Sequence, residues 1–401
     1  MRLAIIGCGV GGLTLAKMLL HEHSQADIRL YEAWDEWKTR GGSLNLAQGG
    51  KILRYLGLEP ALTAASNRPA RVQQFSNGKL VGSMDLDGQS NLVMRTDLQK
   101  LLVESLPADI IHLKREVKSV VENEHDVTLT FVDGSTETAD LVVGADGIHS
   151  VVKGEVFSPG DPVYAGFRLL YSCSSVPVRK DPSVVCVNWN EVDGQGWHIM
   201  DWTAGQGEHR HDVCLVMCRT DEMISDKWDS TIVKSELEKI AGKIASEHEV
   251  LKGAVAHAEM CMDWGVYIQP ILPTWVSPGK KVALLGDAAH ATAPFIGQGA
   301  NMAMMDAFCL GRLLARDDIS VAEALLKYEE KRKSSAEKIV RTSSKAGRMY
   351  TATGVKAMLR NLMLPFLTRM LKAELAEDPT AAQDDDSGYF GWLFKWGDVR
   401  G

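Results

Sequence analysis

Three things that this sequence lacks narrow its reading before any motif is considered. There is no excess of positive charge: 44 Lys+Arg against 52 Asp+Glu leave a net charge of −8. That is the wrong sign for a protein whose main partner is a polyanion, and it argues against a nucleic-acid binder. There are no paired cysteines. The seven, at positions 8, 173, 186, 214, 218, 261 and 309, are odd in number and nowhere form a CxxC. They read as reduced thiols of a cytoplasmic protein, not as a disulfide frame. Finally, no uninterrupted apolar run approaches the ~18 residues of a spanning helix, and Arg2 leads into a strand-like run and then glycines, without signal-peptide organisation. No stable membrane insertion is expected.

What is present is ordinary globular material, 45% hydrophobic and 24% charged over 401 residues, enough for two to three domains at ~150 residues each. Residues 1–32 read as strand, Gly-rich turn, helix and strand, one βαβ unit. Residues 71–86 alternate around Asn77-Gly78, a hairpin signal. From about 155 to 275 the texture changes to alternating, Trp- and Val-rich stretches, with a helix near 230–247 and a strand near 257–268. This reads as a mostly antiparallel sheet inserted between two pieces of a nucleotide-binding domain. The αβ texture returns at Lys281, followed by helical patterns over 299–315, 320–346 and 350–376 and an acidic, then aromatic tail (Tyr389 to Trp396). The boundaries expected are 1–155 and 276–320 for the nucleotide-binding domain, 156–275 for the inserted sheet, to which the strand pair near 71–86 is a possible addition, and 321–401 for C-terminal helices and tail.

Gly7, Gly9 and Gly12 form a GxGxxG between strand and helix, with Gly11 inside it, and Glu32 stands 20 residues after Gly12. The first glycine turns the chain, the second lets a pyrophosphate approach the backbone, the third packs helix on strand, and the acid accepts ribose hydroxyls. An acid at that place repels a 2′-phosphate, so FAD and NAD both qualify. The stretch GDAAHATAPFIGQGAN chooses between them. Asp287, at the end of a strand, is placed to accept hydrogen bonds from polyol hydroxyls. Pro294 then breaks the chain, and a helix opens whose positive N-terminus suits the electron-rich edge of a reduced flavin.

GCGVGG with Glu32, LVVGADGIHS with Asp146, and GDAAHATAPFIGQGAN resemble the three fingerprints of the class A flavoprotein monooxygenases, the p-hydroxybenzoate hydroxylase fold. Together they span residues 1–307. RGGSLNLAQGG and MRTDL are similar to the salicylate-hydroxylase-like and tetracycline-inactivating branches. The resemblance implies an α/β fold: a Rossmann-like FAD-binding domain, an inserted mostly antiparallel β-sheet substrate domain and a C-terminal helical segment. It implies that Glu32 binds the adenosine ribose, that Arg40 and Arg95 lie near the pyrophosphate or ribityl chain, and that Asp146 belongs to a motif shared by FAD and NAD(P)H. It assigns the ribityl hydroxyls to Asp287 and the isoalloxazine to Gly297, Gly299, Ala300 and Asn301. Lys153 departs from the pattern, which has Arg there, keeping charge but losing bidentate geometry.

The activity so implied is hydroxylation or epoxidation of an electron-rich aromatic, enolic or alkene small molecule by a flavin C4a-hydroperoxide. NADPH or NADH and O₂ are co-substrates, and the protein is a monomer or homodimer. On the inserted sheet the candidates are Arg168 and His198 for catalysis, with Tyr171, Trp189 and Trp202. Alternation puts Trp189 on a face with Val187, and His198 with Met200 and Trp202; it does not say which face looks at the flavin. Bland alternatives stand beside these: surface arginines at 40 and 95, a simple turn at Asp146-Gly147, a structural His290 and a core His198. Methionines 349, 358, 363 and 370 form either a lid or a packing stripe. His209, His211, Cys214 and Cys218 resemble a ligand set, but 214 and 218 on one strand face lie ~13 Å apart, so no metal is expected. Rival activities are a reductase or halogenase on the same fold, though no WxWxIP segment occurs, or a flavin-binding redox protein without turnover.

Overall fold

A computed structural model describes residues 1–363 except 38–40, 87, 89, 159, 225–232 and 244–248. The aromatic tail, Met370 and Arg40 therefore lie outside the described residues.

The first sheet is parallel, in the order Val282–Leu284, Leu141–Gly144, Arg2–Ile6, Asp27–Tyr31, Ile111–His112. Its three strands Val282–Leu284, Leu141–Gly144 and Arg2–Ile6 are short apolar runs, as a sheet covered on both faces requires; Leu3 through Ile6, Leu141–Gly144 and Val282–Leu284 are all buried. Helix Val10–His21 covers one side and runs beside helix Gly299–Leu314. Their close approach needs Gly311, where an added Cβ would stand 2.7 Å from the Met18 Cβ.

The second sheet has seven strands, in the order Met260–Ile268, Val163–Ser174, His211–Arg219, Gln195–Ala204, Val184–Val192, Arg71–Ser76, Lys79–Asp85. All its pairings are antiparallel except that of Val184–Val192 with Arg71–Ser76. Asn77-Gly78, both at positive φ, turns the 71–85 hairpin, which extends this sheet and not the parallel one. Pleating gives the sheet two faces. Helices Val233–Lys243 and Glu249–Ala256 pack on the outer one through Leu237 and Leu251 beneath Leu170 and Ile199. The inner face carries Leu169, Tyr171, Val187, Trp189, Trp202 and Met217 and packs on Phe295 and Ala346.

Helix Val321–Tyr350 ties the two sheets together. It starts at a capping box between Ser320 and Glu323, a reciprocal pairing that satisfies two orphan amides. It runs one turn past the expected end at 346 and crosses the Pro294–Ile296 turn so closely that a Cβ on Gly347 would lie 2.4 Å from the Phe295 ring. After Gly354, at φ +57, helical backbone resumes over 354–363. Met358 and Met363 there are 59% and 54% exposed, so these two do not lid a pocket. Among the described residues no helix is long and apolar enough to cross a membrane.

Candidate functional site

The Gly-rich turn is built for a close-approaching ligand. Gly7 sits at φ +101 with the Ala145 carbonyl 2.6 Å from where its Cβ would be, and a Cβ on Gly12 would meet the Gly7 carbonyl at 2.1 Å. Both glycines are therefore demanded by the chain's own packing. Gly11 is too, since Leu285 would lie 2.4 Å from its Cβ. Gly9 is different: nothing lies within 4 Å of its Cβ position, so that position faces open space at the helix N-terminus. Glu32 braces the turn, accepting hydrogen bonds from the Cys8 amide at 3.0 Å and the Trp34 amide at 3.3 Å.

Asp146 accepts from the Val151 and Val152 amides through Oδ2, while its buried Oδ1 has no partner. Desolvation pushes its carboxyl up despite those hydrogen bonds. Lys153 is 3% exposed, and its Nζ donates to the Ile148 carbonyl and to Gln269 Oε1. Burial lowers its pKa while Asp146, Asp161 and Asp287 pull it back. The lysine thus clamps the DG loop from behind instead of pointing outward as a docking cation.

Asp287 follows Gly286, whose φ of +61 makes the turn. It is solvent-exposed at the bottom of a cleft: desolvation by the walls raises its pKa, opposed by His290, Arg95 and Lys153. Arg95 runs along segment 41–45, its Cδ 2.6 Å from where a Cβ on Gly41 would stand. The turn is held from below by Asp306, whose Oδ2 accepts from the Gly286 amide at 3.1 Å and from His290 Nε2 at 2.6 Å, while Oδ1 accepts from Arg332 Nε at 2.7 Å. His290 is therefore a buried brace of the turn.

Helix Gly299–Leu314 begins with no side-chain cap and no acid in its first turn, so its N-terminal amides and positive dipole end face the cleft. No protein atom lies within 4 Å of a Cβ on Gly297, and only a Thr292 methyl, at 3.9 Å, approaches one on Gly299. Pro294 starts the single-turn helix ahead of them. Asn301 spends its amide within the protein: Nδ2 donates to the Asn45 and Gly297 carbonyls and Oδ1 accepts from the Gly49 amide. It positions the loop at residues 41–49, while Ala300 is next to it in the first helical turn. That loop reaches the sheet through Gly42, where a Cβ would come within 2.7 Å of the Tyr171 ring. The Tyr171 hydroxyl accepts from the Ser43 amide, and Trp202 Nε1 donates to Ser43 Oγ.

Segment 41–49 thus joins the helix start at Asn301 to the inner sheet face at Tyr171 and Trp202. On that face Tyr171, Leu215, Met200, Val187 and Gln74 form one cross-strand row. The adjacent row is Leu169, Met217, His198, Trp189 and Ser76. His198 faces this side and Arg168 does not. Arg168 alternates with the inward Phe167 and Leu169, and its guanidinium pairs with Asp263 at 2.6 Å on the outer face. This corrects the expectation of a catalytic Arg168: strand parity turns it away. His198 is 1% exposed and both ring nitrogens lack partners; burial pushes its pKa down to about 3, so it is neutral. Sequence reasoning missed Ser43, Asp306, Arg332 and Tyr350. Only Asp306 carried a signal, as a lone acid inside the apolar run Met302 to Leu310.

An amide-rich turn, a carboxylate at the end of the second strand and a second Gly-lined helix start define a dinucleotide-binding α/β fold with an attached substrate sheet. The family model of the FAD binding domain matches residues 1–343, and the chain belongs to that family. It is a class A flavoprotein monooxygenase, with FAD as cofactor; enzymes of this class draw on NAD(P)H and dioxygen. It is 30% identical over 358 residues to 6-hydroxynicotinate 3-monooxygenase of Pseudomonas fluorescens, covering 85% of this chain and 90% of that one. To 3-amino-4-hydroxybenzoate 2-monooxygenase of Streptomyces cremeus it is 31% identical, with 82% and 83% covered. The solved structure of Klebsiella pneumoniae HpxO with FAD and uric acid superposes with a TM-score of 0.77 at 21% identity, covering 98% of this chain and 97% of that one.

Proposed function

We propose that this protein hydroxylates an electron-rich aromatic small molecule, using NADPH or NADH and dioxygen, in the cleft between the Gly297–Asn301 edge and the inner sheet face. The observation that carries this is the contrast between the walls. Where a flat ring system would lie, side chains are missing at Gly297 and Gly299. Opposite, Tyr171, Met200, Trp202, Leu215 and Met217 make an apolar, aromatic surface suited to a planar substrate.

FAD, when bound, supplies the electrons and the activated oxygen. The chain's residues do the rest. Gly9, Gly11 and Gly12 bring backbone amides to the pyrophosphate while Gly7, its own amide donating to the Tyr31 carbonyl, makes the turn; Glu32 offers its carboxylate to the ribose, and Asp146 lies at the DG loop behind it. Asp287 accepts from polyol hydroxyls and Arg95 offers charge beside it. The amides of residues 297–301 face the electron-rich ring edge and stabilise negative charge there. Tyr171, Ser43 and Trp202 hold the back wall against the sheet and, with the long helix over Phe295, keep water out. Neither inner-face row described above contains a carboxylate, lysine or arginine, and His198 stays neutral, so the face exchanges no proton as a charged acid or base near pH 7.

The test is to record the visible spectrum of the purified protein and follow it after adding NADPH or NADH in air, with and without aromatic acids and phenols. A yellow protein whose flavin bleaches and recovers, with consumption stimulated by an aromatic that gains one oxygen by mass, supports the reading. A colourless protein that FAD does not reconstitute overturns it. Reduction without oxygen transfer to any aromatic would favour a reductase.

A further inference from the structure

Charge near the C-terminus is sorted into two blocks of opposite sign. From 338 to 372 the chain carries Lys and Arg but no Asp or Glu; from 373 to 394 it carries Asp and Glu but no Lys or Arg. Where the acids end, Phe390, Trp392, Phe394 and Trp396 put an aromatic at every second position, the spacing that lines one side of an extended chain.

The basic block closes the long helix and continues through helix 354–363, which is fastened by one side. Arg360 lies over the Trp189 indole, its Cζ 4.6 Å from the ring centroid, and donates to the Met349 and Tyr350 carbonyls. Asn361 Nδ2 donates to Ser76 Oγ at 3.0 Å. The side turned away carries Val355, Met358, Leu359, Leu362 and Met363, all between 51% and 72% exposed. Their spacing, i, i+3, i+4, i+7 and i+8, is that of the face a helix normally buries. Five such side chains on one short helix are more than the single scattered apolar residues of an ordinary surface. Lys345 and Arg348 on the long helix, and Lys356 beside the stripe, are exposed and pair with no carboxylate among the described residues.

An apolar stripe rimmed by cations selects what covers it. A second copy of this chain on a two-fold axis would set the stripe and Lys356 against their own equals, cation towards cation. An anionic bilayer would attract the cations but repel the acidic block that follows in the same chain. The chain's own tail meets both demands, with acids for the rim and aromatics for the stripe. It is also tethered, because residue 364 follows directly on the stripe. The stretch between 363 and 389, extended at ~3.3 Å per residue, reaches several times the ~15 Å length of the helix.

We propose that the C-terminal tail folds back in cis, with Phe390 to Trp396 covering the 355–363 stripe and the acids of 374–386 facing Lys345, Arg348 and Lys356. The exposed face is then an internal docking site, and the tail clamps helix 354–363 against the 71–85 hairpin. This holds independently of the reaction the enzyme performs.

Hydrogen exchange read by mass spectrometry on the full-length, FAD-loaded protein tests it. Amides of 389–396 are expected to exchange ~10-fold or more slowly than in the unfolded chain. Leu359→Asp with Leu362→Asp should bring them within ~2-fold of the unfolded rate, and so should Asp384→Lys with Asp385→Lys and Asp386→Lys. Adding Lys345→Glu, Arg348→Glu and Lys356→Glu to the second variant should recover part of the protection, because the charge pairing is restored in reverse. Retained flavin absorbance shows that each variant is folded. The proposal is overturned if the wild-type tail exchanges at the unfolded rate, if the stripe variant leaves its protection intact, or if the charge-swapped variant recovers none. It is equally overturned if wild-type protein sediments with phosphatidylglycerol vesicles and the stripe variant does not, or if tail protection falls as a dimer dissociates on dilution. A bilayer or a second copy would then be the cover.

Discussion

Replacing Asp306 by alanine probes whether the turn bearing Asp287 depends on a buried charge network. Asp306 and Arg332 are both 0% exposed, and the carboxylate accepts from the Gly286 amide, His290 and Arg332. Removing it leaves the Arg332 cation facing a hole, which for a broken buried pair costs about 3–5 kcal/mol. The Gly286 amide also loses its acceptor, a penalty of about 1–3 kcal/mol that overlaps the first. We expect a total loss of about 3–5 kcal/mol, read as a lower urea midpoint by tryptophan fluorescence. An Asp306→Leu, Arg332→Met double variant should lose less than the two single variants together, because neither charge is then stranded. Desolvation raises the Asp306 pKa, but His290 and Arg332 outweigh it and the net shift is downward. A depressed folded pKa gives stability that is present above the unfolded value of ~3.9 and disappears as the pH falls through the lower folded value. Wild-type protein should therefore lose more stability than Asp306→Asn on acidification through that window. A cost below about 1 kcal/mol for Asp306→Ala, or strict additivity in the double variant, would refute the network.

Gly9→Ala should leave the FAD-free protein as stable as wild type or more so by about 0.4–1 kcal/mol, since its backbone conformation suits alanine, yet weaken FAD binding; thermal melts and flavin titration check both, and undiminished affinity would remove the pyrophosphate from that position. Gly12→Ala should fail to fold normally, because its methyl would meet the Gly7 carbonyl, and circular dichroism would show it. Arg168→Met should alter stability by no more than about 1 kcal/mol, as for a partly exposed ion pair, and leave turnover unchanged; a large fall in kcat would restore its catalytic candidacy. The His198 imidazole, held down at about 3 by burial and by the Arg360 charge, should show no NMR titration between about pH 5 and 8, and a midpoint within that range would contradict the buried placement.

The glycine fingerprint, Glu32 and the GDAAH…GQGAN stretch were legible because their constraints are local. A tight turn needs positive φ, a helix start needs free amides, and the spacing along one strand or one turn encodes both. The change of texture near residue 155 likewise announced a second sheet, since a period of two needs no tertiary knowledge to be seen. Parity also grouped His198 with Met200 and Trp202 from the sequence alone. Which of the two faces packs on segment 41–45 was decided only when Ser43 docked on Tyr171 and Trp202, and that docking puts His198 on the same face and Arg168 on the other. The support of Asp287 by Asp306 and Arg332, and the placing of Arg360 over Trp189, join residues 19 to 171 positions apart. No periodicity carries such pairings; they exist because packing one buried surface on another leaves charges that have to find partners in three dimensions.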